Sequence, residues 1–148
     1  MISTRGRYAL RVMIDIAEHE KGTCIPLKDI AGRQQISEKY LESIVVILSK
    51  AGLLEGLRGK GGGYRLTRLP EQYTVGSILK LTEGSLAPVA CLECGPNRCE
   101  QADDCRTLPM WMKLDRMIDE FFEGIRLSDL MKKEPDDPSK IRQDTELS

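Results

Sequence analysis

Three helical periodicities in the first third of the chain, a glycine-rich reversal between two short extended runs, and an apolar heptad stripe near the end predict the fold class. It is mainly α with a small β-hairpin: a winged helix-turn-helix, followed by a long C-terminal helix patterned to pair with another helix. At 148 residues, 41% hydrophobic and 30% charged, the chain suffices for one main core and an appendage.

Ser3 or Thr4 can cap a first helix over residues 4–20, whose apolar positions Tyr8, Ala9, Val12, Met13, Ile16 and Ala17 recur every three or four residues until Gly22 stops it. Pro26 sits at the entry of a short second helix carrying Leu27, Ile30 and Ala31 as far as Gln34. A tight connection through Gln35 and Ile36 leads to Ser37, which caps a third helix over 37–51. Its inward face reads Leu41, Ile44, Val45 and Leu48, with Glu38 in the first turn where the helix dipole favours an anion.

Gly52 ends that helix. Extended runs over 53–58 and 64–69 then flank Gly59-Lys60-Gly61-Gly62-Gly63, and six of the thirteen glycines fall between 52 and 63, which demands a sharp hairpin. Val75, Ile78, Leu79 and Leu81 give a fourth helix before Gly84. Residues 84–108 lack periodicity and hold four cysteines, a loop too long to stand unsupported. Beyond it Trp111, Leu114, Ile118, Phe121 and Ile125 recur at alternating intervals of three and four, with Gly124 ending or bending the helix and a last turn over 127–131. The expected division is therefore a DNA-binding head over 1–83, a cysteine loop over 84–108, a pairing helix over 109–133 and a disordered tail over 134–148.

The net charge of −1 conceals an asymmetry, because residues 1–69 carry 12 Lys/Arg against 7 Asp/Glu and residues 70–148 carry 10 against 16. A basic head on a near-neutral chain suits a polyanion such as double-stranded DNA. The longest apolar run, residues 44–48, is far short of the roughly 20 residues that span a membrane. No basic-then-apolar leader follows Met1, so a cytoplasmic protein without a membrane partner is expected. The single histidine, His19, lies between Glu18 and Glu20 as a solvated helix residue, which removes most histidine-based catalysis and metal binding. The glycine run fits neither phosphate-binding pattern, since Lys60 precedes Gly61 and Tyr64 takes the last glycine position after Gly59 and Gly61. No enzyme is expected.

In a helix-turn-helix the second helix of the pair enters the major groove with its N-terminal side chains against base edges. The candidates there are Ser37, Lys39, Tyr40, Glu42 and Ser43. Lys39 can donate to guanine or phosphate, Glu42 can accept from the cytosine amino group, and Ser43 can serve either class. At the hairpin, Arg58, Lys60 and Arg65 surround glycines that let the backbone approach phosphates or a narrow minor groove. Arg5, Arg7 and Arg11 on the first helix extend the phosphate footprint.

Cys91, Cys94, Cys99 and Cys105 are separated by two, four and five residues and can converge on one soft centre: zinc, copper(I) or an iron–sulfur cluster. Only Cys91 and Cys94 form the close pair typical of structural zinc, which favours a cluster. A bare redox switch is disfavoured because Glu93, Glu100, Asp103 and Asp104 outnumber Arg98 and Arg106 and raise the thiol pKa values. Cys24 is expected to be a small semi-buried side chain.

Over residues 1–131 the sequence resembles the Rrf-type winged-helix transcription regulators, above all their cysteine-loop, iron–sulfur members. The resemblance rests on Thr4-Arg5-Gly6-Arg7-Tyr8-Ala9, on Ile36-Ser37 with Tyr40-Leu41-Glu42, on Arg58-Gly59 with Gly61-Gly62-Gly63-Tyr64, and on the cysteine loop running into Trp111. It implies a homodimer joined through the helix near 109–124 that binds an inverted DNA repeat and carries a 2Fe–2S cluster on Cys91, Cys99 and Cys105; the expected function is that of a redox-sensing repressor. Two departures matter: the seven residues between Cys91 and Cys99 exceed the family's spacing, and Leu108 stands where the iron–sulfur regulator has a histidine ligand. The fourth ligand is thus open among Cys94, a carboxylate, a partner-subunit residue or none, with Cys94 preferred. A cluster-free or zinc-bearing regulator controlled by a metabolite or a regulatory protein is the alternative function. A small electron carrier is a third.

Overall fold

The computed structural model describes residues 2–20, 22–92 and 105–131, without the side chain of Cys91. The expected tail over 134–148 lies outside the described residues, as do Cys94 and Cys99. Three helices open the chain: α1 (Thr4–His19), α2 (Leu27–Gln34) and α3 (Glu38–Lys50). The Ser3 hydroxyl accepts from the Gly6 N–H and donates to Glu83, so one side chain both caps α1 and ties it to the end of α4 (Val75–Glu83). Gly6 is buried where any Cβ would collide with the Glu83 carboxylate. The apolar stripe of α1 is buried as Ala9, Val12, Met13 and Ile16, against Ile30 of α2 and Leu41, Ile44, Val45 and Leu48 of α3.

The strands β1 (Leu54–Leu57) and β2 (Gly63–Leu66) pair antiparallel with Leu54 opposite Leu66 and Leu57 opposite Gly63. Both are shorter than the extended runs expected from sequence. The buried Tyr73 hydroxyl explains the end of β2: it accepts from the Thr67 and Arg68 N–H groups and donates to the Leu53 carbonyl, taking over those bonds from the strand ladder. Ile25, just ahead of α2, exchanges two 2.8 Å backbone hydrogen bonds with Tyr64, an isolated antiparallel bridge that ties the segment before α2 to β2.

Beyond the described loop residues, α5 (Leu108–Glu123) and α6 (Leu127–Leu130) close the fold. The helix ends at Glu123 because the chain turns back to the head: the Ile125 carbonyl accepts from Val75 N–H, and the Leu127 N–H donates to the Tyr73 carbonyl. Leu127 is fully buried in the main core, and Ile118, Phe122 and Ile125 pack on a smaller cluster of Val75, Leu79 and Leu86. The Lys80 ammonium binds Asp119 and, at 3.0 Å, Glu123, while Thr74 donates to the same Glu123 carboxylate. Among the described residues no helix is long and apolar enough to cross a membrane.

Candidate nucleic-acid interface

Gln35 makes the turn between α2 and α3 in the left-handed conformation, at φ 55°, with its N–H returning to the Ala31 carbonyl. That turn aims the start of α3 outward. Ser37 spends its hydroxyl on the cap, accepting from the Tyr40 N–H at 3.2 Å, and Ser43 donates to the Tyr40 carbonyl at 2.6 Å. Tyr40 packs edge-on against Tyr8 of α1 with ring centroids 5.7 Å apart. Glu38, Lys39, Glu42 and Ser43 face solvent. Of the five candidates here, then, Lys39 and Glu42 present charged ends with no ion-pair partner among the described residues, while Ser37, Tyr40 and Ser43 also carry local structure.

The position of α2, and through it the turn, depends on a residue that sequence reading does not reach. Asp15 is 1% exposed, and its carboxylate accepts from Arg33 at 2.6 and 3.0 Å and from Gln34 Nε2 at 2.8 Å. Its bond to the carboxylate raises the Arg33 pKa further above the ordinary arginine value. A buried carboxylate is tolerated only with such pairing. The available signal was a charged residue inside the apolar stripe of α1, between Ile14 and Ile16.

Gly63 at the wing has φ +150°, and a Cβ there would strike the Ile25 backbone, so the close approach to the segment before α2 requires glycine. Gly59 (φ +94°) and Gly61 (φ +79°) turn the tip, closed by a 2.9 Å bond from the Gly62 N–H to the Gly59 carbonyl. Arg58 and Lys60 stand exposed, and among the described residues neither has a carboxylate within ion-pair distance. Arg65 differs: it sits opposite Glu55 in the sheet and bonds its carboxylate at 2.9 Å. On α1, Arg5 and Arg7 are exposed, Arg7 within 3.5 Å of the Thr4 hydroxyl. Arg11 stacks over the Tyr8 ring and binds the Gln34 carbonyl and side chain, which clamps α1 to the end of α2.

Of the loop thiols, Cys105 is described. Its Sγ lies 3.4 Å from the Thr107 hydroxyl. This bond, together with the Thr107 and Leu108 N–H groups at the start of α5, lowers its pKa. The acidic residues expected to raise the thiol pKa values, Glu93, Glu100, Asp103 and Asp104, lie outside the described residues. A thiol held toward its thiolate form suits a soft-metal ligand. Among the described residues no three His, Cys, Asp or Glu side chains gather as a metal site. Cys91 falls in a single helical turn, Ala90–Leu92, and Leu92 lines a cleft with Met112 and Arg116 of α5. Cys24 is buried.

The structure divides the expected stripe on α5. Ile118 packs inward on the head, Trp111 is half-buried, and Ile125 lies beyond the helix end. Leu114 and Phe121 instead share an exposed face with Met110 and Met117, at intervals of four, three and four.

The family model for Rrf2, described as an iron-dependent transcriptional regulator, matches residues 2–133. The HTH-type transcriptional regulator IscR of Aliivibrio salmonicida (strain LFI1238) is 38% identical over 130 residues, 88% of this chain and 76% of that protein. The structure of CymR (YrzC), the global cysteine regulator of B. subtilis, superposes with a TM-score of 0.72 at 35% identity, covering 88% of this chain and 95% of that one. T. potens IscR superposes with a TM-score of 0.70 at 36% identity, covering 88% and 85%.

Proposed function

Because the chain belongs to the Rrf2 family of transcriptional regulators, we propose that it is a cytoplasmic repressor in which two copies, joined through α5, set two winged heads on an inverted DNA repeat. Family and fold are those of a DNA-binding regulator, not of an enzyme. The observation that carries the reading is the exposed start of α3, with Lys39 and Glu42, beside a glycine-turned tip whose Arg58 and Lys60 have no ion-pair partner among the described residues. Base edges meet the first group and phosphates the second. Half-sites lie about 34 Å apart in such complexes, and each good base contact is worth roughly 1–3 kcal/mol. Head spacing therefore decides occupancy.

In this reading Cys91, Cys99 and Cys105 hold a 2Fe–2S cluster, with Cys94 as the fourth ligand and zinc as the alternative metal. The lowered pKa of Cys105 and the softness of a four-thiol donor set support the fit. Such a cluster supplies a centre whose charge and ligation respond to oxygen, iron supply or nitric oxide. The chain's own residues carry the consequence: Leu92 and Met112 link the loop to α5, and Lys80, Asp119 and Glu123 link α5 to the head. Order in the loop thereby bears on the helix that spaces the heads.

Anaerobic purification followed by iron and sulfide counts, an absorption spectrum and footprinting on inverted repeats tests both halves. The expected result is iron and sulfide in equal amounts and protection of two half-sites about one helical turn apart. Protein lacking iron, sulfide and visible absorption contradicts the cluster; protection of a single half-site contradicts the paired heads. A cluster-free or zinc-bearing regulator answering to a metabolite or a protein is the second reading, favoured by the likeness to the B. subtilis cysteine regulator.

A further inference from the structure

Five consecutive apolar residues occupy positions 44–48, yet α3 does not bury them all. Ile44, Val45 and Leu48 are buried and Ile47 is half-buried, whereas Val46 is 46% exposed. A β-branched residue on a wet helix face lowers helix propensity and, in the free chain, removes little apolar surface from water. Val46 lies one turn beyond Glu42 and three residues beyond Ser43, on the same face of the helix. It also lines two adjoining hollows between α3 and the wing, one shared with Glu42 and Arg58 and the other with Leu57 and Lys50. An apolar spot is thus built into a groove lined by the cations Lys28, Lys50 and Arg58 and by the carboxylates Glu38 and Glu42.

We propose that Val46 packs against the C5-methyl group of a thymine and so specifies one A·T pair in each half-site. The inference rests on the reading that α3 enters the major groove. That methyl is the apolar feature which base pairs present there, and cytosine lacks it. The restricted χ1 of valine holds its methyl groups in a fixed direction, as shape discrimination requires. The four residues from Glu42 to Val46 advance about 6 Å at 1.5 Å per residue, close to two base steps of about 3.4 Å. The thymine therefore lies within about two base pairs of the pair read by Glu42.

The experiment uses the full-length protein and duplexes that the wild type selects from a random pool. Each thymine in the selected site is replaced singly by deoxyuridine, which removes only the methyl group. In the wild type, one position per half-site should lose about fourfold in affinity, the worth of one buried methyl. V46A should bind the thymine and deoxyuridine duplexes equally at that position. E42Q should keep this methyl sensitivity and lose preference at a different base pair, so that the effect is not a general weakening of the helix. A wild type insensitive to every methyl, or a V46A that keeps the wild-type sensitivity, overturns the assignment. Wild-type protein that selects no sequence at all removes the DNA-reading function, and this assignment with it.

Discussion

Charge at the wing is not interchangeable between neighbouring cations. Lys60 has no carboxylate partner among the described residues, whereas Arg65 is held at 2.9 Å by Glu55 across the sheet. Each phosphate neutralised contributes about 0.9 to the slope of log affinity against log salt. Lys60→Ala should therefore flatten that slope by close to one contact, on selected and unselected duplexes alike. Arg65→Ala should change it by less than half as much, because the Glu55 carboxylate already offsets the guanidinium. Salt titrations of both variants check this; equal flattening would show that Arg65 leaves Glu55 for the backbone of DNA. The sequence displayed both cations equally, since a cross-strand pair becomes visible only once the register sets residue 55 opposite residue 65.

At the scale of elements, the turn between α2 and α3 stores conformational cost. Gln35 occupies the left-handed region, which costs a residue bearing a Cβ roughly 1 kcal/mol and costs glycine far less. Gln35→Gly should raise stability by about 0.5–1 kcal/mol, with a rise in melting temperature of a few degrees. An unchanged or lower melting temperature would mean that the Gln35 side chain contributes contacts outweighing the strain. The helices themselves were legible in the sequence because their stripes, caps and stops agree: the periodic residues 9, 12, 13 and 16 are all buried in α1, alongside Gly6 and Asp15. Strand ends were not, because Tyr73, which lies beyond the strand and outside its alternation, supplies the hydroxyl that competes for the backbone of Thr67 and Arg68. On α5 two apolar faces overlap, which a single periodicity does not separate. One belongs to the head through Ile118 and Phe122, and the other, Met110, Leu114, Met117 and Phe121, has no cover within the described chain.

Across the whole molecule, the proposed pairing of two copies rests on that uncovered face. Large contiguous apolar surfaces are uncommon on stable monomers. Phe121→Asp should yield a folded monomer, since Phe121 is 51% exposed in the single chain, whereas Ile118→Asp should unfold the α4–α5 junction as well. Sedimentation velocity with circular dichroism distinguishes these outcomes, and an unaltered dimer for Phe121→Asp would place the interface elsewhere. The basic head and the thiol-rich loop were both visible as composition. The contacts that join Leu92 to α5, and α5 to the head, were not, because Met112, Asp119 and Glu123 lie far from Leu92 and Lys80 in sequence. The central claim, that α3 and the wing together grip a particular DNA sequence, is tested most directly by titrating selected and scrambled duplexes between about 50 and 200 mM salt. The account predicts affinity that falls linearly on logarithmic axes for both duplexes, with the selected one at least about a thousandfold tighter at physiological salt. Affinity that is independent of salt, or equal for the two duplexes, would contradict it.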